Sequence, residues 1–211
     1  MDYTRIGRVD MSTIRVPVKA YILTLYPQTA GTRPGRSSSP VPRGQLRPLA
    51  NGLAVPSFWS RQEITTTFAE TNRIWSAAAQ IEFTPIDISQ RSESVPADHT
   101  GMWQHFVNNL SPRGRGVAVG FVNDIPDQEG GWGGGRVAIL SGRVSRSGLA
   151  GFGGNLLAHE LGHVLMGDPN HRYALGRSSN LMYGRRHPRV VNAGLLTDVQ
   201  VAMSRRRARS L

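Results

Sequence analysis

Asn155-Leu-Leu-Ala-His-Glu-Leu-Gly-His-Val-Leu-Met166 is the stretch on which the reading of this 211-residue chain turns. On a helix, residues four apart lie on one face, about 40° from one another. His159 and His163 can therefore hold one metal ion between them. Glu160 lies about 100° round from His159, beside such an ion and not on it, which suits a general base acting on metal-bound water. Leu157, Leu161, Val164 and Leu165 occupy the other face and would pin the helix to a core. Asn155 is expected as the N-cap and Gly167 as the left-handed residue that ends the helix.

The next residues extend the site. Gly167-Asp-Pro-Asn-His171 makes a sharp turn and delivers a third histidine. Ser178-Ser-Asn-Leu-Met-Tyr-Gly184 follows, a tight turn centred on Met182, with Asn180 placed to tie it down through its side chain. With the helix, these residues resemble the metzincin zinc metalloproteases, in which a methionine turn underlies the metal. The order of segments is similar too: strand, amphipathic helix containing Trp75, two strands, glycine-flanked edge strand, HExxH helix, Met-turn and C-terminal helix. The resemblance covers roughly residues 14–207, and its motif-specific part is 159–183.

One departure stands out. The usual metzincin pattern is HExxHxxGxxH, but Met166 occupies the glycine position here and Pro169 the third-ligand position. Gly167 comes one residue late and His171 two, so the helix is expected to run one residue longer into a wider turn. His171 is the first candidate for third ligand, with Asp168 and His187 as alternatives. Continuing the helix would turn Asp168 away from His159, and Pro169 favours an extended residue before it. A gluzincin takes its third ligand from a downstream glutamate, and no glutamate follows Glu160. Asp198 is better used at the start of the last helix, where its charge suits the dipole.

The implied chemistry is peptide hydrolysis with one catalytic Zn²⁺. Three neutral histidines leave a position for water, whose pKa the metal brings toward 7. Glu160 takes the proton as the oxygen attacks a peptide carbonyl and passes it to the leaving amine, while the metal stabilises the oxyanion. Tyr183 is a candidate hydrogen-bond donor, although it reads more simply as a packing residue. Some metzincins carry a metal-facing tyrosine two residues after the methionine, a position that is Gly184 here. Met182 reads most simply as a core methionine beneath the site, and the resemblance implies that it is the apolar base of the Met-turn and not a ligand.

Outward from this centre the chain reads as α+β, one metalloprotease domain over 1–211 built on a twisted mixed sheet. Val16–Leu25 reads as a strand. Ser60-Arg-Gln-Glu63 is a capping box opening a helix to about Gln80, with Ile64, Phe68, Trp75 and Ala78 at helical spacing. Ile81–Ile88 alternates as a strand, Gly116–Val122 reads as a buried strand, and a short helix is expected around Trp103–Asn109. The resemblance implies that Arg136-Val-Ala-Ile-Leu140 is the edge strand that pairs with an extended substrate. The glycines at 130, 131, 133, 134 and 135 would let a loop move or a substrate approach closely. Thr197 caps a last helix to about Arg207. Residues 27–57, rich in Pro, Gly, Ser and Arg, read as a flexible loop, and 204–211 as a frayed basic tail. His99 and His105, six apart in an expected loop, read as ordinary exposed or core histidines ahead of a second metal site.

Composition sets the limits. Cysteine is absent, which excludes disulfide frameworks, Cys-ligated zinc and thiol catalysis, so a metal site must come from His, Asp and Glu. No 18-residue apolar run is present, and the polar Met1–Asp10 start does not read as a signal peptide, so the expectation is a chain cytoplasmic as made or exported by a non-classical route, with its final location open. The net charge is +11, and Lys19 is the single lysine among 25 basic residues. Such an excess speaks to partners and not to fold. A peptide or protein substrate is the expected partner of a monomeric enzyme. Nucleic acid or an acidic surface is a further candidate with no recognisable motif behind it. The alternatives in function are a cytosolic regulatory protease or exported toxin with a single target, and a non-catalytic module using the basic surface.

Overall fold

In the computed structural model the residues described are 12–28, 57–96, 98–125, 130–147, 150–167, 179–183 and 194–211. Strand β1 (Ile14–Pro27) is the centre of the architecture. Its even-numbered side chains Val16, Val18, Ala20 and Ile22 enter one apolar cluster, and Leu23 and Leu25 enter another on the opposite face. This is the period-two consequence of a strand covered on both sides. β3 (Val117–Val122) and β5 (Val137–Ser141) divide in the same way, with Val119 and Leu140 on one face and Ala118 and Ile139 on the other.

The sheet has the order β2-β1-β3-β5-β4, where β2 is Ile81–Val95 and β4 is Gly131–Gly134. β1, β2, β3 and β5 are parallel, and β4 pairs antiparallel with β5. Helices α1 (Arg61–Ala79), α4 (Phe152–Met166) and α5 (Asp198–Ser210) contribute to the cluster on one face, and α2 (His99–Leu110) to the cluster on the other. The short α3 (Gly142–Ser147) follows β5 directly. The chain is thus an α+β protein with a mixed five-stranded sheet and five helices among the described residues. No helix among them is long and apolar enough to cross a membrane.

Several boundaries follow the sequence closely. Ser60 and Glu63 form the capping box of α1, and Gln80 ends that helix in the left-handed conformation. Thr197 caps α5 with Gln200 as its reciprocal partner, and Asp198 sits in the first turn. β2 runs seven residues past the expected Ile88, paired with β1 as far as Val95.

Three expectations are corrected. The edge strand is β4, not Arg136–Leu140. Every residue of β5 is buried, and it lies between β3 and β4, because its continuous apolar run needs neighbours on every side. His99 and His105 are on α2, whose N-cap is Asp98, and not in a loop. Residues 204–211 are not a frayed tail. They complete α5, with Arg205, Ala208 and Leu211 buried. The Arg205 guanidinium donates to the carbonyls of Ala79 at 2.7 Å and Ser12 at 3.1 Å, and the Gly116 amide donates to the Leu211 carbonyl. A basic run is held here because backbone acceptors at the end of α1 and the start of β1 need donors. Residues 29–56 of the expected 27–57 loop lie outside the described residues. At its borders, β1 includes Pro27, and Ser57 donates to the Phe121 carbonyl at 3.1 Å.

Arg205→Met should therefore destabilise the protein by about 2 kcal/mol, the worth of charged hydrogen bonds to buried carbonyls. A fall in the urea midpoint with unchanged m-value would show it, whereas a solvated tail would give no shift.

Candidate metal centre on helix α4

α4 begins three residues earlier than Asn155. Its N-cap is Gly151, left-handed at φ 82° and without a side-chain cap, and the Asn155 amide donates to the Gly151 carbonyl as an ordinary first-turn bond. Two glycines in the first turn are poor helix formers, yet α1 requires one of them. A Cβ on Gly154 would stand 2.3 Å from Glu70 Cβ. α1 then grips the helix backbone, with Thr71 Oγ1 donating to the Gly154 carbonyl at 3.0 Å and Trp75 Nε1 to the Ala158 carbonyl at 3.0 Å. At the far end Gly167 is left-handed at φ 64°, and its N–H donates to the His163 carbonyl. The helix thus runs through Met166, as the shifted glycine implied.

Leu157, Leu161, Val164 and Leu165 are all at most 1% exposed. Each contributes about 1.5–3 kcal/mol of hydrophobic stabilisation. That offsets the cost of keeping His159, Glu160 and His163, all at most 5% exposed, inside the same helix.

Those three residues converge. Ligand atoms of His159, Glu160 and His163 lie within 4.8 Å of one another, a group that could hold a metal ion. The two Nε2 atoms are 3.1 Å apart with the rings at 90°. Ligands at about 2.0–2.1 Å from a tetrahedral ion are about 3.3 Å apart, so the pair has the spacing of two corners of such a site. The His159 Nδ1 lies 2.8 Å from the Leu181 carbonyl. A carbonyl can only accept, so Nδ1 carries the proton and Nε2 keeps its lone pair facing His163, the tautomer of a ligand.

The Leu181 carbonyl is itself fixed. In the segment 179–183 the Met182 amide donates to Asn180 Oδ1 at 2.8 Å and the Tyr183 amide to the Asn180 carbonyl at 3.1 Å. Asn180 Nδ2 donates to Gln200 Oε1 at 2.8 Å, and that oxygen also accepts from the Thr197 amide. The orientation of His159 is therefore traced through a turn to the capping box of α5. Asn180 was legible as the tie of this turn. Gln200, fully buried, was not, although Thr197-x-x-Gln200 has the spacing of a capping box.

Met182 lies beneath the helix. A Cβ on Gly162 would stand 2.3 Å from Met182 Sδ, so the glycine between the two histidines is what admits the methionine. Tyr183 is half-buried, and its hydroxyl makes no hydrogen bond among the described residues. The structure does not bring His99 and His105 together. His105 Nε2 is 2.7 Å from the buried Glu93 carboxylate, and His99 packs edge-on against Trp132 with ring centroids 4.7 Å apart. His171, Asp168, His187 and Gly184 lie outside the described residues.

The edge strand completes the centre. A Cβ on Gly131 would stand 2.7 Å from Glu160 Cγ, and one on Gly133 would stand 2.0 Å from the Glu160 carbonyl oxygen. Trp132 points the other way, into the α2 side of the sheet. The glycine run is thus the surface by which β4 lies flat on α4 beside the Glu160 carboxyl. A search of protein-family models finds none that matches the chain, and a search of curated proteins finds none either.

Gly133→Ala should destabilise by about 2–3 kcal/mol, since backbone meets the new methyl and one element must move. Gly114→Ala, where an added Cβ meets nothing within 4 Å, should stay within about 0.5 kcal/mol. Equal effects in chemical denaturation would show that β4 does not press on α4.

Proposed function

We propose that the protein is a zinc-dependent endopeptidase with a metzincin-like catalytic domain. The observation that carries this reading is the meeting of the two Nε2 atoms and the Glu160 carboxyl on a buried helix directly against an edge strand. His159 and His163 would hold the ion. His171 is proposed as the third ligand, with Asp168 as the rival.

Bound there, Zn²⁺ would supply a Lewis acid and acidify a water molecule. The remaining steps belong to the chain. Glu160 accepts a proton from the attacking water and returns it to the leaving amine nitrogen, the role of a positioned carboxylate general base and acid. Its burial beside Gly131 keeps that carboxylate within reach of the reacting atoms. β4 is the outermost strand of the sheet among the described residues, and on this reading an extended peptide adds at that side by main-chain hydrogen bonds. Gly131 and Gly133 bring that edge as near to Glu160 as backbone can come. Met182 and Gly162 shape the apolar floor, and the Leu181 carbonyl holds the His159 ring.

Zinc content and cleavage of a proteome-derived peptide library test the proposal together. Wild type should bind one zinc per chain and cleave. Glu160→Ala should keep the zinc and lose at least about 10³-fold in rate, and His163→Ala should lose both. Loss of zinc in Asp168→Ala but not in His171→Ala would transfer the third ligand to Asp168. A fully zinc-loaded wild type that cleaves nothing across the library would favour the non-catalytic module instead.

A further inference from the structure

Gln200 does more than a helix cap requires. In the capping box of α1 the same position is Glu63, whose half-buried side chain accepts from the Ser60 amide at 2.7 Å and the Ser60 hydroxyl at 2.8 Å. A carboxylate there also suits the helix dipole. α5 carries a neutral amide instead, and buries it completely. Burying a glutamine costs side-chain entropy and hydration, so the choice needs a reason beyond the cap.

Asn180 supplies that reason. The two side-chain amides face each other in both senses: Asn180 Nδ2 donates to Gln200 Oε1 at 2.8 Å, and Gln200 Nε2 donates to Asn180 Oδ1 at 3.2 Å. Their polarity is forced from both ends. The Met182 amide needs an acceptor at Asn180 Oδ1, which turns Nδ2 toward α5. The Thr197 amide needs an acceptor at Gln200 Oε1, which turns Nε2 back toward Asn180. A carboxylate at position 200 would set an acceptor against Asn180 Oδ1, and an apolar side chain would offer neither a donor nor an acceptor. Asn180 is only 5% exposed, so little water can take over.

We propose that Gln200 is a positioning residue of the metal centre: acting through Asn180, it fixes the plane of the Leu181–Met182 peptide and so holds His159 as a ligand. This inference rests on the reading of His159 and His163 as metal ligands. The Met182 N–H and the Leu181 carbonyl are the two ends of one peptide unit, which is planar, so they point in fixed and opposite directions. Asn180 Oδ1 holds the N–H end at 2.8 Å, and His159 Nδ1 donates to the carbonyl end at 2.8 Å. Rotation at one end turns the other. A loosened amide pair therefore reaches the imidazole, although three hydrogen bonds lie between Gln200 and His159.

Two measurements on the full chain test this without any substrate: zinc affinity by competition with a chromophoric chelator, and the visible spectrum of the Co²⁺-loaded protein. Gln200→Leu keeps most of the side-chain bulk and removes both amide bonds. It should weaken zinc binding by about 10–100-fold, the usual cost of losing a group that orients a ligand. It should also change the Co²⁺ bands, which report the geometry of the ligands. Arg205→Met, which loosens the other end of α5, should leave affinity and bands as in wild type. Zinc affinity and Co²⁺ bands in Gln200→Leu that match those of Arg205→Met overturn the proposal and leave the peptidase reading standing. The expected loss of affinity, in a protein that cleaves no peptide even as wild type, supports the positioning role and counts against the peptidase. A wild type that binds neither ion overturns both. If Gln200→Leu does not fold, hydrogen exchange of the wild type decides, because coupling between two sites is reciprocal. Saturating zinc should then slow exchange of the Met182 and Thr197 amides by at least about tenfold more than that of the Ile64 amide in the first turn of α1. Equal slowing at the three amides overturns the proposal.

Discussion

At Gly133 the edge strand passes so close to α4 that an added Cβ would stand 2.0 Å from the Glu160 carbonyl oxygen. With no side chain between the two backbones, neither element can slide without losing the other. The constraint propagates both ways. On one side it fixes where an incoming strand could lie relative to the Glu160 carboxyl. On the other it places Trp132, the alternate residue, among Phe106, Trp103 and His99 of α2, with ring centroids 4.7–6.3 Å apart. α2 thus backs the edge strand from behind while α4 supports it in front. The glycines serve as a packing surface whose residue size sets the geometry of the centre.

The second support comes from below. Two converging imidazoles make a useful ligand pair only if each ring is held in one tautomer and orientation. For His159 the holder is a backbone carbonyl in a turn, and turns are ordinarily the more mobile parts of a fold. Here the turn is braced by a side-chain amide pair, Asn180 with Gln200, and by main-chain bonds from Leu181 to Leu195 at 2.7 Å and from Leu195 to Ser179 at 3.2 Å. Gln200 serves twice, completing the α5 cap and bracing the turn. A polar network this buried stabilises only when its members are satisfied, and each of these amides has its partner.

Much of this was legible in the sequence where local rules act alone. The α1 capping box, the Gly167 helix end and the Thr197 cap are short-range patterns in which a side chain meets backbone three or four residues away. The spacing of His159, Glu160 and His163 follows from helix geometry, and so does their convergence. What was not legible depends on contacts between distant elements. Arg136–Leu140 and Gly131–Gly134 are both plausible edges until the β3–β5 pairing is known, and only then does the apolar run become interior. Asn155 suits an N-cap, but the contact between Gly154 and Glu70 lets the helix begin at Phe152 despite its glycines. The arginines at 205–209 read alike as a charge run, yet Arg205 donates to the carbonyls of Ala79 and Ser12 while Arg207 faces solvent.

α5 joins these threads. Its first turn holds the brace under His159, and its last turn carries Arg207 toward Arg136. Thirteen residues of helix span about 20 Å. Buried Arg205 and Ala208 lock that rod to the end of α1 and to the core. The distance between the His159–His163 pair and the arginines at the end of α5 is therefore set by a rigid element anchored at both ends, not by a loop.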